Sequence, residues 1–141
     1  MSAGCELCEP QDVIFESEFA YVRYDNHALA RGHVIVVPRR HVADFFEMSG
    51  AEQGSVVALL NRAKKRIEAE HRPDGYNIGV NIGKAAGQSR MHVHVHLIPR
   101  YAGDAADLAK IIRDEKEPDF SYDHDLAVQE TVLLAGGMPT A

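Results

Sequence analysis

Residues 87–100, with the sequence GQSRMHVHVHLIPR, contain the pattern that decides the predicted fold. Between His92 and Leu97, histidines alternate strictly with aliphatic residues. Because successive side chains of a β-strand point to opposite faces, this alternation predicts a strand from Met91 to Ile98, ended by the proline that follows. The strand would present its imidazoles on one face, about 6.5–7 Å apart, and bury its aliphatic residues in an apolar layer.

Four more strands are predicted elsewhere in the chain. Residues 13–23 alternate roughly between apolar and polar residues, with a turn near Ser17, which predicts a hairpin of two strands. Residues 33–37 form a compact β-branched run, and residues 76–81 alternate again before a loop over residues 83–87. Since neighbouring strands can join by short turns, we predict that they pair antiparallel.

One long helix interrupts the strands. Ser49 and Glu52 have the spacing of a capping box, and after them apolar residues recur at helical spacing, which predicts a helix over residues 51–71. A short helix is predicted after Asp104, and residues 126–134 favour helix or strand within a weakly defined tail over 118–141. The predicted fold class is α+β: a five-stranded antiparallel sheet with one long helix and one or two short helices against one face.

Length and composition bound the class of protein. The 141 residues suit a single domain over 1–141, large enough for a core without disulfides. The net charge of −6, with histidine neutral, argues against a nucleic acid polymer as partner, but a small cationic pocket for a nucleotide is compatible with it. The sequence has neither an apolar run near the ~20 residues that span a bilayer nor a signal-like start. We therefore expect a cytoplasmic protein with no membrane partner.

The histidine run allows three interpretations. The imidazoles could be surface or hydrogen-bonded histidines of a half-exposed strand, ligands of a metal ion, or groups for nucleophilic and acid–base chemistry at phosphorus. The preceding loop favours the third, because glycines let backbone N–H groups approach an anion, and Asn81, Gln88 and Ser89 can bond phosphate oxygens. Imidazole is a capable nucleophile near neutral pH, and its adduct with phosphorus is labile, so that one difficult displacement becomes two easier ones.

These residues resemble the signature of the histidine triad superfamily of nucleotide hydrolases and transferases. The resemblance rests on two blocks, residues 87–100 and residues 32–42 (GHVIVVPRRHV), and extends over roughly residues 5–104. It implies a homodimer built on an antiparallel sheet and a substrate with a nucleoside 5′-phosphoryl group. No organic cofactor is expected.

The resemblance also implies a role for each matching residue. His94 would attack the α-phosphorus and form a nucleotidyl-histidine intermediate, from which water releases a nucleoside monophosphate. His96 would bind and orient the same phosphate, and His92 and His96, on either side of His94, would share the developing charge. The implied nucleotide-binding residues are Asp25 for the ribose hydroxyls, His33 for the phosphate pocket, and Asn81, Gly87, Gln88 and Ser89 for the phosphate and the leaving group.

Residues 99–104 (PRYAGD) look most like the fragile-histidine-triad and bacterial dinucleoside polyphosphate hydrolase branch. Hydrolysis of a dinucleoside polyphosphate is therefore the predicted reaction, with a nucleoside phosphoramidase or a non-catalytic nucleotide-sensing module as alternatives. Two features depart from the family pattern. Arg90 stands where an apolar residue is usual, and it could reach a polyphosphate or point into solvent. The turn over residues 26–31 lacks the usual prolines, so the nucleobase contacts do not carry over.

Cys5 and Cys8 have the spacing of a zinc knuckle. In a cytosolic chain, two cysteines rarely form a structural disulfide, and the remaining alternatives are unmetallated thiols or a redox pair. The family resemblance implies that two histidines complete the set, because several bacterial members close such a site in this way. The matching positions are His41 and His92, which predicts a structural Zn²⁺ site beside the predicted nucleophile.

Overall fold

The computed structural model describes residues 4–104, and the elements predicted after Asp104 lie outside these residues. A five-stranded antiparallel sheet forms the centre of the described part. Its strands are β1 (Val13–Glu16), β2 (Ala20–Tyr24), β3 (Val34–Pro38), β4 (Gly75–Gly79) and β5 (Val95–Arg100). They lie in the order β1-β2-β3-β5-β4, and every neighbouring pair is antiparallel. The predicted fold class and sheet are confirmed.

The long helix α1 (Gly50–His71) covers one face of the sheet and begins where the sequence predicts. The Ser49 hydroxyl accepts from the Glu52 N–H, and the Glu52 carboxylate accepts from the Ser49 N–H, so the predicted capping box is present. Residues spaced by three or four form the buried stripe that packs against β2, β3 and β5, namely Val56, Leu59, Ala63 and Ile67. Across residues 4–104, no helix is both long and apolar enough to cross a membrane.

Three of the connecting segments among the described residues contain a short helical turn. They are the 3-10 turns Glu6–Cys8, Phe45–Glu47 and Lys84–Ala86. The first forms the loop between the two cysteines, and the third lies inside the predicted glycine-containing loop. Both therefore shape segments that carry candidate site residues.

The last strand begins later than the sequence predicts. Alternation predicted a strand from Met91, whereas β5 starts at Val95. Before that point, the carbonyl oxygen of His92 accepts a hydrogen bond from the ring of His94 rather than from a neighbouring strand. His92 and His94 therefore lie in the connection that leads into β5, and the prediction of a strand from Met91 was wrong at this end.

The turn into β3 requires glycine at position 32. Gly32 has a φ of +88°, a region that L side chains rarely adopt. A Cβ there would lie 3.0 Å from Cδ2 of His71 and 3.3 Å from Cγ of Pro99. The turn thus packs closely against the end of α1 and against β5, and this packing positions the next residue, His33.

We expect Gly32→Ala to lower the free energy of unfolding by about 1–3 kcal/mol, because backbone strain and close contact act together. Urea denaturation measures the change. Gly54→Ala in α1 is the matched control, since nothing lies within 4 Å of a Cβ there and alanine is the better helix former by about 1 kcal/mol. A Gly32→Ala protein as stable as the wild type would contradict the tight packing of this turn.

Candidate functional site

The histidine run lies on the side of the sheet opposite α1. Its alternating aliphatic partners, Val93, Val95 and Leu97, belong to the core beneath the helix, so the predicted apolar layer is confirmed. The three imidazoles are almost inaccessible, and even the most exposed of them, His94, has only 6% of its surface exposed. This burial excludes a solvent-exposed histidine run, and each ring is held by polar partners instead.

A backbone hydrogen bond fixes the tautomer of His94. Its Nδ1 lies 3.0 Å from the carbonyl oxygen of His92, and because a carbonyl oxygen only accepts, Nδ1 carries the hydrogen. The lone pair of the neutral ring is then on Nε2. The ring also packs edge-on against His96, with centroids 5.1 Å apart. His94 is therefore held in the form that attacks an electrophile through Nε2.

Two successive hydrogen bonds, through the ring of His33, orient His96. The backbone N–H of Leu29 donates to Nδ1 of His33, so neutral His33 carries its hydrogen on Nε2. That nitrogen lies 3.0 Å from Nδ1 of His96, which accepts and leaves the His96 hydrogen on Nε2. Antiparallel pairing of β3 with β5 brings the two rings together. The ring next to His94 thus offers a hydrogen-bond donor.

Asp25 places one carboxylate against this pair. Its Oδ2 lies 3.4 Å from Nε2 of His33 and 3.5 Å from Nδ1 of His96, and its Oδ1 accepts from the His27 backbone N–H. Burial raises the pKa of Asp25, but the His96 and His33 rings in their protonated form, together with the His27 N–H, outweigh it and bring the pKa to about 2. The carboxylate is ionised at neutral pH and faces the imidazoles, and the implied ribose contact stays a prediction.

Gln88 braces the loop that precedes the histidines. Its Oε1 accepts from the Gly83 N–H at 2.8 Å, and its Nε2 donates to the carbonyl oxygens of Ala43 at 2.8 Å and Arg90 at 3.1 Å. Both ends of the side-chain amide are thereby used within the protein. The sequence predicted a phosphate contact for this residue and did not predict the bracing role.

The other predicted residues of this loop are less constrained by the protein. Oδ1 of Asn81 is buried and has no hydrogen-bond partner among the described residues. Gly87 has a φ of +93°, and a Cβ there would lie 3.5 Å from Nδ2 of Asn81. Ser89 is partly exposed. Asn81 therefore retains an unused acceptor beside a turn that lets the backbone approach closely.

The two cysteines converge with two histidines on one point. Cys5, Cys8, His41 and His92 each offer one ligand atom, and the four atoms lie within 4.8 Å of one another. Sγ of Cys8 lies 3.2 Å from Nδ1 of His41 and 3.5 Å from Nδ1 of His92, and Sγ of Cys5 lies 3.4 Å from Nδ1 of His92. Sulfur and nitrogen ligands of a tetrahedral zinc ion are about 3.6 Å apart, given the usual bond lengths. This cluster could bind a metal ion.

His92 contacts the cysteines of this cluster with its ring, and it contacts His94 with its backbone. Nε2 of His92 lies 2.7 Å from the carbonyl oxygen of Pro38, so Nε2 carries the hydrogen and the Nδ1 lone pair faces the two sulfurs. Burial lowers the pKa of His92 below its usual value, although the bond to Pro38 opposes this. The neutral ring is the form that binds a metal. The contact of His92 with His94 is made by its carbonyl oxygen.

Sequence reasoning missed a charged group beside this cluster. Arg90 was expected to reach a polyphosphate or solvent, but its Nη1 lies 2.9 Å from Oε1 of Glu6. The same carboxylate oxygen lies 3.7 Å from Nη2 of Arg23, which is buried in β2. The sequence signal that could have indicated this group is Arg23, an arginine within the largely apolar strand β2. These three residues form a charged group next to the cysteine turn, and we call it the Glu6–Arg23–Arg90 group.

The HIT domain family model matches residues 7–103 of this chain. AP-4-A phosphorylase of Mycobacterium tuberculosis is 34% identical over 94 residues, covering 66% of this chain and 48% of that protein, so the match spans about half the length of this relative. The bifunctional bis(5'-adenosyl)-triphosphatase/adenylylsulfatase FHIT of Arabidopsis thaliana is 28% identical over 120 residues, covering 84% of this chain and 67% of that protein.

The chain is also similar in three-dimensional structure to a solved member of this family. The crystal structure of a Zn-bound histidine triad family protein from Mycobacterium smegmatis matches with a TM-score of 0.65 at 25% identity, covering 92% of this chain and 94% of that chain. The match extends over most of both chains, so the sheet and the long helix belong to a fold that the two proteins share. The chain belongs to the HIT domain family, the histidine triad superfamily.

Proposed function

We propose that the protein is a nucleotide hydrolase or transferase that attacks the α-phosphorus of its substrate with Nε2 of His94. The observation that carries this proposal is the 3.0 Å bond from Nδ1 of His94 to the His92 carbonyl oxygen, which leaves the lone pair on Nε2. Attack forms a P–N bond and breaks the P–O bond to the leaving group. Water then attacks the phosphorus, which releases a nucleoside monophosphate and restores the ring.

The neighbouring groups supply the electrostatic part of this chemistry. Nε2–H of His96 would donate to a phosphoryl oxygen as negative charge develops, and the His33 ring holds it in that tautomer. Asp25 would compensate the positive charge that His94 and His96 gain during the reaction, since it lies 3.5 Å from His96. Gly87, Ser89 and the side-chain N–H of Asn81 would bind the phosphate and the leaving group, and Gln88 would act by bracing their loop.

Dinucleoside polyphosphates are the proposed substrates. The names of the relatives in Mycobacterium tuberculosis and Arabidopsis thaliana refer to such compounds. The site also suits them, because a polyphosphate leaves as an already stable anion and needs no proton at the moment of bond breaking. An amine leaving group would need a general acid aimed at it. The fragile-histidine-triad branch is therefore our choice within the superfamily.

We further propose that Cys5, Cys8, His41 and His92 bind a structural zinc ion. Two thiolates and two imidazoles at these distances suit tetrahedral Zn²⁺, and a Zn-bound relative from Mycobacterium smegmatis shares the fold. A closed set of four protein ligands leaves no position for substrate. The ion would therefore be structural and would hold the N-terminal turn against the sheet. Reduced thiolates of this kind suit a reducing compartment such as the cytoplasm.

A homodimer is the proposed assembly. β4 lies at one end of the sheet order, so one of its edges has no partner strand among the described residues. Ile78 on this strand is 47% exposed. An uncovered edge strand with an exposed apolar side chain is a ready surface for pairing with a second copy.

His94→Ala should abolish formation of a covalent nucleotidyl adduct, because the ring nitrogen that forms the P–N bond is removed. Intact-mass spectrometry after a brief acid-free quench with a diadenosine polyphosphate should show one added adenylyl group on the wild type. His71→Gln, at the end of α1, is the matched control and should keep the adduct. An adduct formed only from an adenosine phosphoramidate would move the substrate to that class. No adduct from either compound would contradict covalent catalysis.

Cys8→Ser should lose the bound metal, because it removes one of the four ligands. Elemental analysis of chelator-free protein should give one zinc per chain for the wild type and much less for the variant. Removing a tightly bound structural ion should lower the free energy of unfolding by at least about 2 kcal/mol. Wild-type protein that contains no zinc and is equally stable with and without a chelator would contradict the structural role.

Asp25→Asn should remove part of the acid sensitivity of folding. The pKa of Asp25 is about 2 in the folded protein and about 3.9 when unfolded. Its ionised form therefore stabilises the fold above about pH 4 and loses this effect as the pH falls towards 2, a change of about 2 kcal/mol. Urea denaturation at several pH values should show a shallower fall for Asp25→Asn than for the wild type. Loss of metal in acid affects both proteins alike, so parallel curves would contradict the prediction.

A further inference from the structure

Arg90 joins two segments that are far apart in the sequence. Its Nη1 lies 2.9 Å from Oε1 of Glu6, and its backbone carbonyl oxygen accepts from Nε2 of Gln88 at 3.1 Å. Glu6 belongs to the turn between the two cysteines, whereas Gln88 belongs to the loop that precedes the histidines. Only 24% of the Arg90 side chain is exposed. Arg90 therefore lies between the cysteine turn and this loop and contacts both.

The cysteine turn gives Arg90 a fixed point of attachment. The Tyr21 hydroxyl donates to the carbonyl oxygen of Leu7 within the turn, and both residues are fully buried. Nη2 of the buried Arg23 lies 3.7 Å from the same Glu6 oxygen that Arg90 contacts. The Glu6 carboxylate is thus held between two guanidinium groups. Its position is set by the buried part of the protein, so it can fix the side chain of Arg90.

Gln88 closes the loop on the other side of Arg90. Oε1 of Gln88 accepts from the Gly83 N–H at 2.8 Å, and the Gln88 backbone N–H donates to the Gly83 carbonyl oxygen at 3.1 Å. Ser89, a proposed phosphate contact, lies between Gln88 and Arg90 in the sequence. Its backbone is therefore held on both sides, by the side chain of Gln88 and by that of Arg90. Loss of the contact with Glu6 would free this segment at one end.

Strand register places this loop close to the proposed nucleophile. Gly79, the last residue of β4, pairs with His96 on β5, and the two strands are antiparallel. Continuing this register by two residues brings Asn81 to the level of His94. A Cβ at Gly87 would lie 3.5 Å from Nδ2 of Asn81, so the turn of the loop packs against the same point. A shift of the loop would displace the donors that face the phosphate, and misplacement by about 1 Å can lower a rate about a hundredfold.

We propose that Arg90 is a positioning residue whose contact with Glu6 fixes the phosphate-binding loop, an inference that rests on the proposed function. In this role Arg90 does not touch the phosphate, because its guanidinium is directed to the cysteine turn. The competing role is an Arg90 that binds a polyphosphate directly, with Glu6 as its partner only while substrate is absent. The two roles predict opposite effects when the Glu6 carboxylate is removed.

Glu6→Gln should weaken AMP binding about three- to fivefold, since a partly exposed ion pair contributes up to about that factor to an equilibrium constant. Charge alone predicts the reverse, because removing a carboxylate favours a bound anion. Arg90→Met should weaken AMP at least as much, and adding Glu6→Gln to it should cause no further loss, as expected for one shared contact. Adenosine lacks the phosphate and should bind all these proteins with wild-type affinity. Calorimetric titration of zinc-loaded protein measures each affinity.

Arg66→Met is the matched control, because it removes a comparable ion pair, with Glu70 on α1, and should leave AMP affinity unchanged. Zinc content and thermal unfolding report whether each variant is folded. If Glu6→Gln is not, Glu6→Asp decides, since it keeps the charge but shortens the side chain by one methylene, and it should weaken AMP as well. Tighter or unchanged binding of AMP by the Glu6 variant, or an equal loss for adenosine, overturns the proposal.

The wild-type protein separates this proposal from the proposed function. An intact His94 adduct, together with the same AMP affinity in the wild type and in the variants of Glu6 and Arg90, would reject only the positioning role. A wild type that neither binds AMP nor forms the adduct would reject both.

Discussion

The arrangement of the site depends on the hydrogen bond between Nε2 of His92 and the carbonyl oxygen of Pro38, which is 2.7 Å long. It directs the His92 Nδ1 lone pair to the two cysteine sulfurs, and it joins the end of β3 to the segment before β5. The carbonyl oxygen of the same residue accepts from His94 and so fixes the ring that bears the proposed nucleophile. One residue thereby links the metal cluster to the reaction centre, with its side chain serving the first and its backbone the second.

The fold could be predicted because its signals are local and periodic. The Ser49 and Glu52 pair marked the start of α1, and the aliphatic half of the histidine run marked the buried face of β5. The start of β5 could not be found in the same way. Alternation continues back to His92, but the ring of His94 takes the backbone acceptor that a strand would use. A side-chain hydrogen bond that competes with a ladder is invisible to a pattern of apolar and polar residues.

The membership of the metal cluster was predicted from resemblance, and the structure brings those four residues together. The contacts of Gln88 and Arg90 were not predictable, because their partners are set by the tertiary fold. Gln88 bonds Ala43, 45 positions away, and Arg90 pairs with Glu6, 84 positions away. A sequence motif identifies which side chains are present at a site, whereas the partners they bond depend on how distant segments pack. A motif therefore predicts the side chains of the proposed reaction centre but not the contacts that surround them.

The site has two regions that differ in how their charges are balanced. Around His94, hydrogen bonds to neutral rings hold the tautomers, and Asp25 supplies one negative charge that balances a ring when it becomes positive. In the Glu6–Arg23–Arg90 group, two cations share one carboxylate, and the buried Arg23 remains short of acceptors. A protein selected for stability alone would replace such a buried arginine with an apolar residue. The Glu6 carboxylate offsets part of that cost, and its second contact, with Arg90, ties the cysteine turn to the loop that precedes the histidines.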